Sequence, residues 1–513
     1  MASKNLKQTI QGYENYIQTH GIDETVIEAY VEACSVAINN EKDTEYGLQL
    51  TRRSKKLIEH YCMEQTGGTI WDLEKYAQDS SNSYQLINEY YEILKLESFW
   101  NFESFMYYME KKRPYGKRFY YPRRKSLGIV VKDLEDLENR VIKFYGLSMP
   151  SRVGKSTICI FFLAWIALRR PNSHSAMGGH SGILAKGFYK ELMNLFTTEE
   201  YTFAELFAFW HPEYAKKALP TDKSADEFTI TLGDPDRFAT VTCRGIDGTW
   251  TGAVDVSKDG YLYVDDLVRD REHSLSPMRM ENTFQEYLNK MVDRKNDGAR
   301  ELMVGTLWNV LDPLERLRKQ YEGNPEYRFR RIPALNDNDE SNFDYEINGF
   351  STAYYRDMRD RLDKAEWEAK FMQRPFVREG LLFQTDELRY FNGILPDGDF
   401  RRIGVTDIAW GGGDSLSMPV GAEFENGDVY IYDWIFNAGP KEVTIPLVVG
   451  RIVGNEIRQT RFEGNVGGDL YCQYVDEKLQ DIGYKCSCTS KKAPNKVEKL
   501  AKIIAYSGAV KRK

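Results

Sequence analysis

The stretch from Arg140 to Arg170, "RVIKFYGLSMPSRVGKSTICIFFLAWIALRR", constrains the fold more than any other. An apolar, β-branched and aromatic run enters a short turn holding Pro150 and Gly154. The run that leaves the turn is too long and too apolar for a strand. A strand that turns straight into a buried helix is half of a βαβ unit, and strand-then-helix texture continues to Ala253. This part of the chain therefore folds as a three-layer α/β domain on a largely parallel sheet.

Two other textures flank it. From Leu6 to about Glu110 the periodicity is helical, and "DETVIEAYVEACSVAI" reads as an amphipathic helix capped at Asp23 or Glu24. Beyond Arg401, "RRIGVTDIAW", "SMPVGAEFE" and "DVYIYDWIF" follow closely, the last two joined by "ENGD", a hairpin signal that predicts an antiparallel meander. The segment between the patterns carries Pro375, Gly380, Pro396 and Gly398 and reads as a linker. The expected division is a helical region over 1–115, an α/β domain over 116–373, a linker over 374–399 and a strand-rich domain over 400–513. No internal repeat or low-complexity segment interrupts it.

A chain of 513 residues is long enough for several cores. No run approaches eighteen apolar residues, and the polar N-terminus lacks the apolar stretch of a secretion signal, so the expected location is the cytoplasm with no membrane partner. Seven scattered cysteines argue for reduced thiols, and "CSC" at 486–488 has no second pair at zinc-ligand spacing. The net charge of −8 gives no global basic field. Two local runs differ: "KKRPYGKRFYYPRRK" (111–125) and the tail from Lys491 to Lys513, each either a solvated face or a DNA contact.

The turn "SMPSRVGKST" ends as a phosphate-binding loop does. Backbone N–H groups from Ser151, Arg152, Val153, Gly154, Lys155, Ser156 and Thr157 would wrap phosphates, Lys155 would reach the β and γ oxygens, and the Ser156 hydroxyl would meet magnesium. Met149 stands where the usual first glycine falls. Arg152 adds a cation that can stabilise transition-state charge, or else pair with a neighbouring acid. The second half of such a site is an apolar strand ending in acids, and "GYLYVDDLVRD" supplies it. Asp265 would hold the metal and Asp266 would orient the attacking water, unless the pair merely caps a strand.

These motifs, in this order, resemble the large terminase subunit of tailed double-stranded DNA bacteriophages. "MPSRVGKS" is similar to that family's loop, "GTWTGAV" (248–254) to its glycine turn, "VDDLVRD" to its acidic strand, and "GTLWNVLDPLERL" (305–317) to its coupling segment. Thr306, Trp308, Asp312 and Leu314 occupy matching places, while Leu307 stands where the family often has arginine. The resemblance covers roughly 120–513 and implies a P-loop NTPase domain followed by a ribonuclease H-like mixed-sheet nuclease domain. Thr306 would sense hydrolysis and pass it to the DNA-gripping surface.

In such a nuclease, acids on separate strands hold two divalent metals, Mg2+ or Mn2+. Asp407 in "RRIGVTDIAWGGGDS", followed by Asp414, and Glu463 in "RFEGNVGGDL", with Asn465 and Gly468 behind it, resemble the family's catalytic acids. A third acid is expected past Lys513, leaving the nuclease domain C-terminally incomplete, with Asp469 as a substitute. The implied activity is ATP-driven translocation of viral DNA into a procapsid, with endonucleolytic cutting of concatemers. The implied partners are double-stranded DNA, a small terminase subunit, the portal ring and about five copies of the chain, in the host cytoplasm. Arg152 or an arginine from a neighbouring copy would complete the ATP site. The alternatives are a helicase-nuclease and a non-catalytic scaffold binding capsid or DNA.

Overall fold

The computed structural model describes residues 2–503 except 22, 40–43, 72–73, 75–80, 215–220, 225–226, 376–388, 410–414, 465–466 and 493–502. Asp414, Asn465, the middle of the expected linker and nearly all of the basic tail lie outside the described residues. Two compact units divide the chain, Met1–Val377 and Arg378–Lys513.

The first unit opens with helices, as expected. The helix Glu24–Asn39 starts where Asp23 Oδ1 accepts the Thr25 N–H at 2.8 Å. It packs with the helices Ala2–His20 and Thr44–Thr66 through Ile10, Tyr30, Cys34 and Leu50. The next helices, Ser81–Glu97 and Phe102–Met109, join the main core instead: Phe102 stacks on Trp165 at 5.3 Å, and Trp165 Nε1–H donates to Ser98 O at 2.7 Å. Packing thus runs continuously across position 115.

That core surrounds an eight-stranded sheet of β1 (Phe144–Ser148), β2 (Ser175–Gly179), β3 (Thr221–Ser224), β4 (Glu227–Ile230), β5 (Val241–Gly245), β6 (Tyr261–Asp265), β7 (Arg300–Gly305) and β8 (Tyr327–Arg331). Their order is β3-β4-β5-β2-β6-β7-β1-β8. Only the β3-β4-β5 edge is antiparallel. The other neighbours run parallel, and β1, β2, β5 and β6 are buried along their whole length, as a sheet covered on both faces requires. Strand β7 lies between β1 and β6. The segments that leave these three strands therefore emerge side by side at the C-terminal edge, where ligands of open parallel sheets bind.

The second unit holds a five-stranded mixed sheet of β9 (Phe400–Thr406), β10 (Leu416–Phe424), β11 (Val429–Asn437), β12 (Gln459–Glu463) and β13 (Ser487–Lys491), ordered β11-β10-β9-β12-β13. The meander β9-β10-β11 is antiparallel and turns at Asn426 and Gly427, where Asn426 Oδ1 accepts the Asp428 N–H at 3.0 Å. Strands β12 and β13 add parallel to β9, linked by the helix Gly468–Asp481. This is the strand order of a ribonuclease H-like sheet. That helix and Lys441–Gly454 cover one face, burying Met418, Val420, Val448, Phe462 and Tyr471.

Candidate functional site

The loop leaves β1 at Ser148 and becomes the helix Lys155–Arg169. Two of its residues take the left-handed backbone, Arg152 at φ +69° and Gly154 at φ +107°. A Cβ at Gly154 would also sit 2.8 Å from the Phe119 ring, so conformation and space both demand glycine there. Met149, in place of the usual first glycine, is fully buried with Leu147, Val153 and Ile158 in the core beneath the loop and does not plug it. Ser151 and Arg152 stand exposed at the crest, and no ion pair engages Arg152 among the described residues.

Because β7 separates β1 from β6, the residue after β7 lies between the loop and the acid pair. That residue is Thr306. Lys155 Nζ donates to Thr306 Oγ1 at 2.9 Å and lies 3.4 Å from Asp266 Oδ2, while Asp266 Oδ1 accepts the Thr306 N–H at 3.0 Å. Asp266 is held at φ +41°, a strained backbone for an aspartate, with His180 Nδ1 2.9 Å from its carbonyl oxygen. Strain at this position is the kind found at sites where geometry matters more than comfort.

Asp265 is buried, and its Oδ1 has no hydrogen-bond partner. Burial and then the Asp266 charge push its carboxyl up to about 7, against the opposing pull of Lys155 and of the Ser156 hydroxyl close by. An orphaned carboxylate oxygen beside a serine hydroxyl is a donor set that suits Mg2+. Downstream, Asp312 caps the helix Pro313–Gln320 by accepting the Leu314 N–H at 3.1 Å, and burial pushes its carboxyl up to about 7 as well.

Sequence reasoning missed a shelf against the loop. The Arg123 guanidinium sits 5.1 Å from the ring centroids of both Phe119 and Tyr345, its Nε buried without a partner. Tyr345 O–H donates to Val153 O at 3.2 Å, tying the shelf to the loop. The signal is the basic, aromatic run 111–125, whose composition fits either a solvated face or a DNA contact. The fold gives those cations other partners: Lys111 and Lys112 pair with Glu205, Arg113 and Lys117 with Glu200, Arg118 with Glu74 and Arg124 with Glu103. The run is stitched to the body of the first unit.

In the second unit Asp407 follows β9 and exchanges both backbone hydrogen bonds with Ser417, at 2.9 and 3.0 Å. Glu463 ends β12 and follows Phe462, which pairs with Thr406. The two acids thus occupy adjacent positions on neighbouring strands. Gly468 is required behind them, since a Cβ there would fall 1.8 Å from Glu463 O. Asp469 Oδ1 accepts from Ser490 Oγ on β13. Among the described residues, no three carboxylate, imidazole or thiol groups gather to hold a metal.

No protein-family model matches the chain, and no curated protein matches it. The chain is similar to solved phage large terminases. The large terminase of a thermophilic bacteriophage shares 12% identity over 76% of this chain and 86% of its own, at a TM-score of 0.38. The same protein in complex with ATP-gamma-S shares 10% over 76% and 86%, at 0.36. The HK97 bacteriophage large terminase shares 11% over 79% and 89%, at 0.35. These superpositions are loose. No helix among the described residues is long and apolar enough to cross a membrane.

Proposed function

We propose that the first unit hydrolyses ATP to drive double-stranded DNA into a viral procapsid, and that the second is a divalent-metal-dependent endonuclease that cuts concatemeric DNA into genome ends. The contact set Lys155–Thr306–Asp266 carries the reading: loop, coupling segment and acid strand meet at one point. On this reading the backbone of Ser151–Thr157 cradles the phosphates and Lys155 neutralises the β and γ oxygens. Arg152, exposed and unpaired by any described acid, turns to the charge that develops on the transferred group. Asp266 orients the attacking water, and Thr306 passes the change onward. Arg123 completes the pocket from the side of Phe119 and Tyr345.

Ser156 and Asp265 would hold Mg2+, which would supply positive charge to offset that of the phosphates. Asp407 and Glu463 would hold Mg2+ or Mn2+, which supplies Lewis acidity toward a phosphodiester. The partners that accompany the reading are the small terminase subunit, the portal ring and about five copies of the chain docked on the procapsid in the host cytoplasm.

The test is ATP turnover with and without duplex DNA. The parent protein should be stimulated by DNA, and Lys155→Ala should abolish both basal and stimulated rates. Unchanged stimulated turnover in Lys155→Ala overturns the motor reading.

A further inference from the structure

We propose that the open face of the second unit's sheet stacks unpaired bases of the nucleic-acid strand beside its two carboxylates, with Trp434 and Phe436 as the stacking rings. The proposal rests on the nuclease reading of Asp407 and Glu463.

The pleat decides which residues share that face. Leu416, Met418, Val420 and Ile435 are buried against the helices, so Ser417, Pro419, Trp434 and Phe436, at the alternate positions, point the other way. Phe436 pairs with Ser417, and Ser417 with Asp407. Glu463 takes the next place by continuing the β12–β9 register. Glu463, Asp407, Ser417 and Phe436 therefore form one row across four adjacent strands. Neighbouring strands lie roughly 5 Å apart, which puts the Phe436 position about 10 Å from that of Asp407.

The rings beside the acids are unusually bare. Trp434 is 57% exposed and Phe436 74%, and Val405, two residues before Asp407 on the same face, is 50% exposed. The indole is also fixed: Trp434 Nε1–H donates to Ser417 Oγ at 3.0 Å, inside the row. Contiguous exposed apolar surface marks a binding site more often than chance placement. Its chemistry selects the ligand. Arg461 shares the face with Glu463, and Lys491 on β13 pairs in register with Glu463, both exposed. Aromatic rings on one side of a paired-carboxylate edge and cations on the other match a nucleic-acid strand whose phosphates meet the charges and whose bases lie on the rings. A duplex hides its base faces, so these rings serve bases that are unpaired near the cut.

The experiment uses the full-length protein in calcium, without turnover. The probe is a short single-stranded oligonucleotide carrying 2-aminopurine, compared with the same sequence fully paired. Trp434→Ala and Phe436→Ala should each weaken single-strand binding roughly tenfold and leave duplex binding within about twofold. Trp434→Phe and Phe436→Tyr, which keep a ring, should bind as the parent does, and all four should melt like the parent. Single-strand binding unchanged in both alanine variants, or duplex binding lost to the same extent, overturns the proposal. So does a parent protein that leaves 2-aminopurine fluorescence untouched. Cutting by Asp407→Ala in manganese is scored separately: if cutting survives while the alanine variants lose single-strand binding, the nuclease reading falls and the stacking face stands.

Discussion

The Lys155 ammonium lies 2.9 Å from the Thr306 hydroxyl, across 151 positions of sequence. Lys155 is almost fully buried, and a buried cation needs a counter-charge, which Asp266 provides at 3.4 Å. A polyphosphate in the loop is a stronger counter-charge than one carboxylate. On the proposed reading its arrival would draw Lys155 away from Thr306, and its departure would return it. On that reading Thr306 would register whether the loop is filled.

Thr306→Val removes the hydroxyl and keeps the backbone N–H that Asp266 accepts. ATP affinity should stay within about threefold of the parent, while the stimulation of turnover by duplex DNA should be largely lost. Steady-state turnover with and without DNA reads both quantities. Full stimulation in Thr306→Val removes Thr306 from the coupling path.

Much of this geometry was legible because it is written locally. A strand that turns through Gly154 into an apolar helix, an apolar strand ending in Asp265 and Asp266, and "ENGD" between two strands each carry their period and turn chemistry within a dozen or so residues. What was not legible depends on strand order. Nothing near Thr306 reveals that β7 inserts between β1 and β6, and nothing near Phe119 reveals that Tyr345 closes over Arg123. The run 111–125 shows the same limit from the side of charge. A local count sees eight cations, while Glu74, Glu103, Glu200 and Glu205, which pair with six of them, come from other elements.

Asp312 predicts a pH dependence. Burial lifts its carboxyl to about 7 in the folded protein, against an ordinary value of 3.8. Between those values the folded state holds a proton that the unfolded state has lost, so stability falls as pH rises from about 4 to 7 and levels off above. An asparagine in this place cannot titrate and is an equally good helix cap. Asp312→Asn should therefore flatten this part of the profile and exceed the parent in stability above pH 7 by a few kcal/mol at most. Urea unfolding at pH 5 and pH 8 measures the difference, and identical slopes in the two proteins contradict it.

Gly468→Ala tests the second unit alone. Its Cβ would fall 1.8 Å from Glu463 O, a backbone atom that no side-chain rotation can move. The strain should destabilise that unit by about 1–3 kcal/mol and shift Glu463. The expected result is an earlier unfolding transition and weakened cutting of DNA, with ATP turnover unchanged. Loss of ATP turnover instead would mean that the substitution unfolds the whole chain.

Arg123 predicts two effects of opposite sign. Its guanidinium lies against Phe119 and Tyr345 beside the loop, engages in no ion pair among the described residues, and has its pKa lowered by burial. Its Nη1–H donates to Phe119 O at 2.9 Å, but its Nε is buried without a partner, and a half-buried cation with no ion pair costs stability that an anionic ligand would offset. Arg123→Met keeps much of the apolar stem that covers the Phe119 ring and removes the charge. The nucleotide-free variant should melt at or above the parent's temperature. ATP should bind it about ten- to a hundredfold more weakly, as the loss of a charge-assisted hydrogen bond of about 1.5–3 kcal/mol implies. A fluorescent ATP analogue and a thermal melt read the two effects on one sample. An affinity equal to the parent's would exclude Arg123 from the nucleotide pocket, and a lower melting temperature with unchanged affinity would make it a packing residue.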